Sequence, residues 1–341
     1  MGVKSAARRA AAGAVSGLRL SSLISRAFGG RAAILAYHRV LDPALHDPDL
    51  VEPGLFVTRD SFAAHLELLA RKYHVVPLET LVRRLLTGEE VARGTVVLTF
   101  DDGWLDTCQT AFPLLQRAGL PASIFVPTAL IGTRHRFWFS RAGEAGARLW
   151  TLANQARDNG PALPPELAFA AALLRARLSR PAFVHRLLQA CKDVSPTQRD
   201  GVVDRLEEAA GAPARPSREL VDWDELRRLA ANVFEVGSHT ASHVILTEVD
   251  AALAKVELEE SRRTIAEQLG RPAVSLCYPN GDYNEGVRRL AKSCGFACAL
   301  TTRAGFADPP LDLHALPRLG VHQGVAAKAS GLELLLSGLF S

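Results

Sequence analysis

The chain has 341 residues, 48% of them hydrophobic and 22% charged, enough apolar material for one large globular domain or two ordinary ones. Its formal net charge is only +4, and Lys4, Arg8, Arg9, Arg19, Arg26 and Arg31 crowd the first 31 positions with no acid among them, so the main body carries no footprint for nucleic acid. The five cysteines (Cys108, Cys191, Cys277, Cys294 and Cys298) form no CxxC pair, which argues against a zinc knuckle and reads as small apolar residues in a reducing compartment.

In chain order, residues 1–31 come first, basic and Ala-rich. Arginines interrupt them, so no apolar region of ordinary signal-peptide length appears. No stretch approaches the ~20 apolar residues of a membrane span. Leu18, Leu20, Leu23, Ile24 and Phe28 could share one face of a basic amphipathic helix at an anionic membrane surface. A lead-in helix, frayed or packed on the body, is the plainer reading. Together with the free thiols, this leads us to expect a cytoplasmic protein, with membrane contact through residues 1–31 left open.

Short apolar runs then alternate with helical patterns. Strands are expected at 33–38, 74–77, 95–100, 122–126, 234–238, 275–278, 297–301 and 315–321. Helices are expected at 61–72, 78–86, 107–118, 224–231, 251–269 and 285–293. Gly119, Gly270 and Gly295 fall just past three of these helices, where a C-terminal cap needs positive φ. The alternation predicts an α/β fold with a parallel sheet, and this many units suits a closed or nearly closed barrel. Residues 136–218 break the rhythm: they are rich in Ala, Leu and Arg and include PALPPELAFAAALLRARL. The expected organisation is a basic lead at 1–31, a barrel from 32–135 and 219–325, a helical insertion at 136–218, and a C-terminal helix at 326–341.

In a (β/α) barrel the strand ends bring distant residues to one rim. The strand ending in LAYHRV supplies His38, LTFDDG supplies Asp101 and Asp102, and EVGSHTASH supplies His239 and His243. CYPNGDY and LPRLGV follow, the latter carrying Arg318. Adjacent carboxylates repel, and burying even one costs several kcal/mol (roughly) unless it is paired or bound to a metal. TFDDGW is therefore either a solvated turn or a holder of something. Two histidines four apart, with a carboxylate from another strand, match a two-His-one-carboxylate metal site with open positions. Taken alone, HTASH is a weak signal and DDG is also a good turn. In this order on alternating strand ends, the two together favour metal over the plain turn.

TFDDG followed by SHTASH resembles the polysaccharide deacetylase family, the NodB-homology domain of carbohydrate esterases, over about 34–126 and 223–321. The resemblance implies a distorted (β/α) barrel of about seven strands with a helical insertion. It also implies removal of N-acetyl groups from amino-sugar polymers with one divalent metal per chain, most often zinc. On the family pattern Asp101 is the general base, and Asp102, His239 and His243 are the metal ligands. The family's third motif has an arginine before its proline, which is missing from Tyr278-Pro279-Asn280-Gly281. The late Leu-x-His motif that supplies the general acid has no clear match either. Both departures resemble the permuted poly-N-acetylglucosamine deacetylase-like and exopolysaccharide-associated branch. There the acid histidine comes early, in a strand like YHRV, which implies His38. Arg318 is then expected to replace the missing arginine beside Asp101. Tyr278, Pro279, Asn280, Gly281 and Trp104 are the expected substrate-binding residues, with packing beneath the site the competing role for both aromatic rings. The implied partner is an acetylated amino-sugar glycan or its lipid-linked precursor. Hydrolysis of another non-peptide C–N bond, and non-catalytic glycan binding, are the alternatives.

Overall fold

The computed structural model describes residues 32–52, 54–155, 163–211, 218–308 and 310–338. The basic lead at 1–31 lies outside them. The described chain divides into two compact units. One takes in the chain up to Asp42, Phe56–Thr133 and Glu219 onward; the other takes in Pro43–Leu55 and Arg134–Arg218.

The first unit is the barrel. Its strands are β1 (Ala33–Tyr37), β2 (Arg39–Leu41), β3 (Phe56–Thr58), β4 (His74–Val75), β5 (Thr95–Phe100), β6 (Ala122–Val126), β7 (Phe234–Ser238), β8 (Ser275–Cys277), β9 (Cys298–Leu300) and β10 (Leu319–Gly320). Seven of them run β10-β1-β5-β6-β7-β8-β9, with β4 added on β5, and every pairing is parallel. A parallel bridge between Leu300 and Leu316 carries the curl from β9 round to the segment that enters β10. Parallel strands covered on both faces read as unbroken apolar runs, and β1 and β5 are buried at every position. Val97, Phe125, Cys277 and Leu300 meet in one apolar cluster. In a second group, the ring of Tyr37 stacks on Phe100 at 5.4 Å, and Phe62 meets both edge-on.

Helices return the chain between strands. α1 (Arg59–Lys72) is capped by the Thr58 side chain, which accepts from Ser61 N, and it ends on Arg71 and Lys72, the favourable sign at a helix C-terminus. α2 is Leu78–Thr87, and a π-helical turn at Thr107–Ala111 leads into α3 (Phe112–Ala118). The expected strand at 315–321 is shorter than its apolar pattern. Only Leu319 and Gly320 pair with β1, because the backbone before them is engaged elsewhere, Arg318 N donating to Arg303 O and Leu316 N to Ala299 O. The parallel pair β2–β3 leaves no signal in the sequence, since 14 residues separate its strands.

The second unit is helical, with α4 (Trp138–Gln155), α5 (Ala168–Arg175), α6 (Arg180–Lys192) and α7 (Pro196–Ala209) around Ala142, Leu149, Phe183, Leu187 and Leu206. Residues 43–55 belong here and not to the barrel, a correction to the expected boundaries. The reason is steric and local: a Cβ on Gly143 would stand 2.4 Å from the Leu50 carbonyl oxygen, so only glycine lets α4 lie against that stretch.

The remaining helices are α8 (Trp223–Ala230), α9 (Ala251–Leu269), α10 (Glu285–Ser293), α11 (Gln323–Ala326) and α12 (Ala329–Leu336), so the expected C-terminal helix is two short ones. No helix among the described residues is long and apolar enough to cross a membrane.

Candidate metal centre and active site

The paired carboxylates follow β5. Along a strand, Asp101 and Asp102 would point to opposite faces. A positive φ of 72° at Asp102 ends that alternation at the mouth of the barrel. Both are nearly buried, at 2% and 4% exposure. Asp101 is held by Arg318 in a two-point fork, Nη1 donating to Oδ1 at 2.8 Å and Nη2 to Oδ2 at 2.7 Å. The other donors of that guanidinium go to Thr301 O at 2.8 Å, Thr99 Oγ1 at 3.0 Å and Cys277 Sγ at 3.1 Å. All five N–H groups of Arg318 therefore have partners. Burial alone would push the Asp101 carboxyl up, but the Arg318 charge outweighs it and keeps Asp101 below the usual carboxylate range. Burial pushes the Cys277 thiol up, so it meets the guanidinium as a neutral acceptor.

Asp102 faces two imidazoles. His239 Nε2 lies 3.3 Å and His243 Nε2 3.2 Å from Asp102 Oδ1. One ligand atom from each of the three residues falls within 4.8 Å of the other two. The outer contacts aim these donors. His239 Nδ1 donates to Cys277 O at 2.7 Å, which turns Nε2 toward Asp102. Trp104 Nε1 donates to Asp102 Oδ2 at 2.9 Å and leaves Oδ1 toward the histidines. Behind Trp104 stands Arg39, its guanidinium 4.3 Å from the ring centre and paired with buried Asp106 at 2.8 Å. Burial would raise the Asp102 carboxyl; hydrogen bonds from His239 and His243 hold it well below its ordinary value. Two imidazole nitrogens and one carboxylate oxygen, with His239 and Asp102 oriented from behind, are a donor set that fits zinc or a similar divalent ion.

The histidine loop is strained and tied down. Thr240 and His243 have φ of 65° and 64°, a region that costs a non-glycine residue on the order of 1 kcal/mol or more. α9 supplies the ties. Glu257, 7% exposed, accepts from Ala241 N at 2.9 Å, Ser242 N at 2.8 Å and Ser242 Oγ at 2.6 Å. One turn further on, Ser261 Oγ meets Ser238 Oγ at 2.7 Å, and Ser238 Oγ accepts from Thr240 N at 3.1 Å.

The sequence matches the family described as Polysaccharide deacetylase over residues 88–163 and 197–299, more than half of the chain. The chain belongs to the polysaccharide deacetylase family. YxkH of Bacillus subtilis (strain 168), whose name places it with the polysaccharide deacetylases, is 20% identical over 279 residues, 82% of this chain and 70% of that protein. Among solved structures, IcaB from Ammonifex degensii superposes with a TM-score of 0.58 at 17% identity, covering 89% of this chain and 97% of its own. The Streptococcus pyogenes deacetylase PplD, solved with acetate, gives 0.57 at 17%, covering 90% and 97%. Those likenesses establish the distorted (β/α) barrel. As a polysaccharide deacetylase, the protein is a hydrolase of carbon–nitrogen bonds other than peptide bonds.

Around the centre of this deacetylase the other expected residues divide. His38, at the end of β1, keeps a quarter of its side chain exposed, and its Nε2 lies 3.9 Å from Asp101 Oδ2. Trp104 is fully buried and cannot stack on a sugar; its ring packs inward and its N–H serves Asp102. Tyr278 is fully buried too, its hydroxyl donating to His314 O at 3.0 Å. Pro279 and Gly281 are buried, and a Cβ on Gly281 would stand 2.1 Å from Thr302 Oγ1, so this glycine answers to packing. Asn280 alone of that motif is exposed, and its amide donates to Asp282 Oδ2 at 2.6 Å. Glu257, Ser261 and Cys277 join the site without a sequence signal that marks them. Glu257 and Ser261 are spaced to share one face of α9, but VELEES holds three glutamates and nothing local distinguishes the one that turns inward.

Proposed function

We propose that the chain is a metal-dependent N-deacetylase of N-acetylglucosamine-type glycans, as polymer or lipid-linked oligosaccharide, with one zinc ion per chain. The observation that carries this is the convergence of Asp102, His239 and His243 beside the Asp101–Arg318 pair. A divalent cation held by those three residues would polarise the acetamide carbonyl and acidify a water molecule. Asp101 is the general base: Arg318 occupies one side of the carboxylate and keeps it ionised, and its remaining lone pairs accept the proton of the attacking water. When the C–N bond breaks, the amine cannot leave as an anion. His38, partly exposed and 3.9 Å from Asp101, gives its proton to that nitrogen. The products are acetate and a free amino sugar, and acetate is the ligand with which PplD was solved.

The test is acetate release by purified protein from β-linked N-acetylglucosamine oligomers and polymers. Zinc-loaded protein is expected to release acetate, chelation to stop it, and zinc to restore it. Asp101→Asn should keep its metal and lose turnover by a factor of about 10²–10⁴. No acetate from any acetylated amino sugar, with metal bound, would overturn the reading.

A further inference from the structure

A cleft of about 540 Å³ opens between the loops that follow β8 and β9, within the size range of ligand pockets. Tyr283, Arg288, Arg303, Phe306, Asp312 and Pro317 help to line it, and none of the metal donors does. It is nonetheless tied to the centre by single-residue steps. Pro317 precedes Arg318, whose backbone N donates to Arg303 O at 3.0 Å. Arg303 N donates to Thr301 Oγ1 at 3.2 Å, and the Thr301 carbonyl takes Arg318 Nε at 2.8 Å. On the opposite wall the Tyr283 ring stacks on Tyr278 at 5.5 Å and 13°. Tyr278 directly follows Cys277, whose carbonyl orients His239.

The lining has the chemistry of a sugar site. Tyr278 is anchored through its hydroxyl to His314 O, so it backs one face of the Tyr283 ring rigidly. The Arg288 charge is taken up by Asp312 and Glu285. Arg303 is exposed, and among the described residues no carboxylate stands within 4.0 Å of it; its side chain makes one hydrogen bond, Nη2 to Ala315 O at 3.5 Å. An aromatic face and a guanidinium with donors to spare suit a neutral ring bearing hydroxyl and carbonyl oxygens.

We propose that this cleft is the subsite for the sugar next to the one being deacetylated. That sugar stacks its C–H face on Tyr283 and gives oxygen acceptors to Arg303. The inference rests on the deacetylase reading and sharpens it: the substrate is an oligomer, and a single N-acetylglucosamine fills only part of the site.

The experiment compares kcat/KM of the full-length, zinc-loaded protein on N-acetylglucosamine and on its β-linked pentamer. Wild type is expected to favour the pentamer by about tenfold or more. Tyr283→Ala and Arg303→Met should each cost the pentamer about fivefold more than the monomer, with the loss in KM. Tyr283→Phe, which keeps the ring face, should retain the pentamer preference. Equal losses on both substrates, no loss on either, or a lost preference in Tyr283→Phe would overturn the subsite while acetate release continued. Absence of acetate release by the wild type would overturn the deacetylase reading itself, and the subsite with it.

Discussion

In the barrel unit Asp101, Asp102, Asp106, His239, Glu257 and Arg318 are all buried, whereas every buried side chain of the helical core is apolar. The charges of the helical unit are exposed or only partly buried, as where Arg180 meets Asp47 at 2.8 Å and Asp49 at 2.9 Å. Taking an ion out of water costs several kcal/mol (roughly), and a well-packed apolar core holds a fold together without that penalty. The barrel accepts it at the ends of β5 and β7 and on the segment entering β10. There each buried charge has a named partner and each strained residue has a tie. The barrel must hold charge in place as well as fold.

The sharpest way to break this comparison is to remove one barrel cation. Arg318→Met leaves Asp101 buried without a countercharge and is expected to cost about 3–5 kcal/mol in denaturant unfolding, along with most of the activity. A loss below ~1 kcal/mol would mean that the buried pair is no more demanding than a surface one.

A second test uses pH and a buried histidine away from the metal donors. His65 is fully buried in α1; its Nε2 donates to Ala326 O at 2.7 Å, and Tyr37 Oη donates to its Nδ1 at 3.2 Å. Burial pulls its pKa from 6.5 down to about 4. Above pH 6.5 both folded and unfolded chains hold it neutral. Below that, the unfolded chain takes up a proton that the folded chain refuses, so stability falls with pH until about 4. The total loss is on the order of 3 kcal/mol at ~1.4 kcal/mol per pH unit. His65→Gln should flatten that limb of a stability–pH profile measured by chemical denaturation. An unchanged limb would place the acid sensitivity elsewhere.

The barrel was legible because its signals are local. Buried parallel strands such as TVVLTF read as unbroken apolar runs, and the helices between them carry caps and C-terminal glycines. The positions of His38, Asp101, Asp102, His239 and His243 just past strand ends were legible for the same reason, since a barrel brings the C-terminal ends of its strands to one rim, whereas Arg318 precedes β10 and reaches Asp101 through the interior. What the sequence could not convey was the direction in which aromatic rings point. Trp104 and Tyr278 sit beside reactive residues and have the character of sugar platforms. Their polar tips have inward partners, Asp102 and His314 O, so burial won over exposure. The tie from Glu257 to the histidine loop was hidden as well, because it joins residues 15 and 16 apart across a helix–loop boundary. The assignment of residues 43–55 to the helical unit rests on long-range contacts that no periodicity reports: the close backbone approach at Gly143 and the pairs of Arg180 with Asp47 and Asp49 and of Lys192 with Glu52.

That Glu257 tie gives a smaller and more specific test. Glu257→Gln keeps the shape of the side chain and removes the charge that gathers Ala241 N, Ser242 N and Ser242 Oγ. Metal affinity, measured by competition with a chelator, is expected to fall about 10–100-fold, the usual effect of losing a group that orients ligands. Glu257→Asp, which keeps the charge on a shorter arm, should recover part of it. Loss of stability with unchanged metal affinity would make Glu257 a packing residue only.

The smallest expected effect lies in the other unit. Arg180, like Arg318, meets two carboxylate oxygens at hydrogen-bond distance, yet about a third of its side chain is open to solvent. Water already screens its contacts with Asp47 and Asp49, and the side chain loses freedom in holding them. Arg180→Ala should therefore cost less than ~1 kcal/mol, and the difference from wild type should shrink further in high salt. Arg318 is fully buried and forks one carboxylate through two nitrogens, whereas Arg180 reaches two carboxylates through Nη2 alone. If their removal proved equally damaging, neither burial nor the fork would be setting the energy of these pairs; a several-fold difference assigns it to the buried, forked pair.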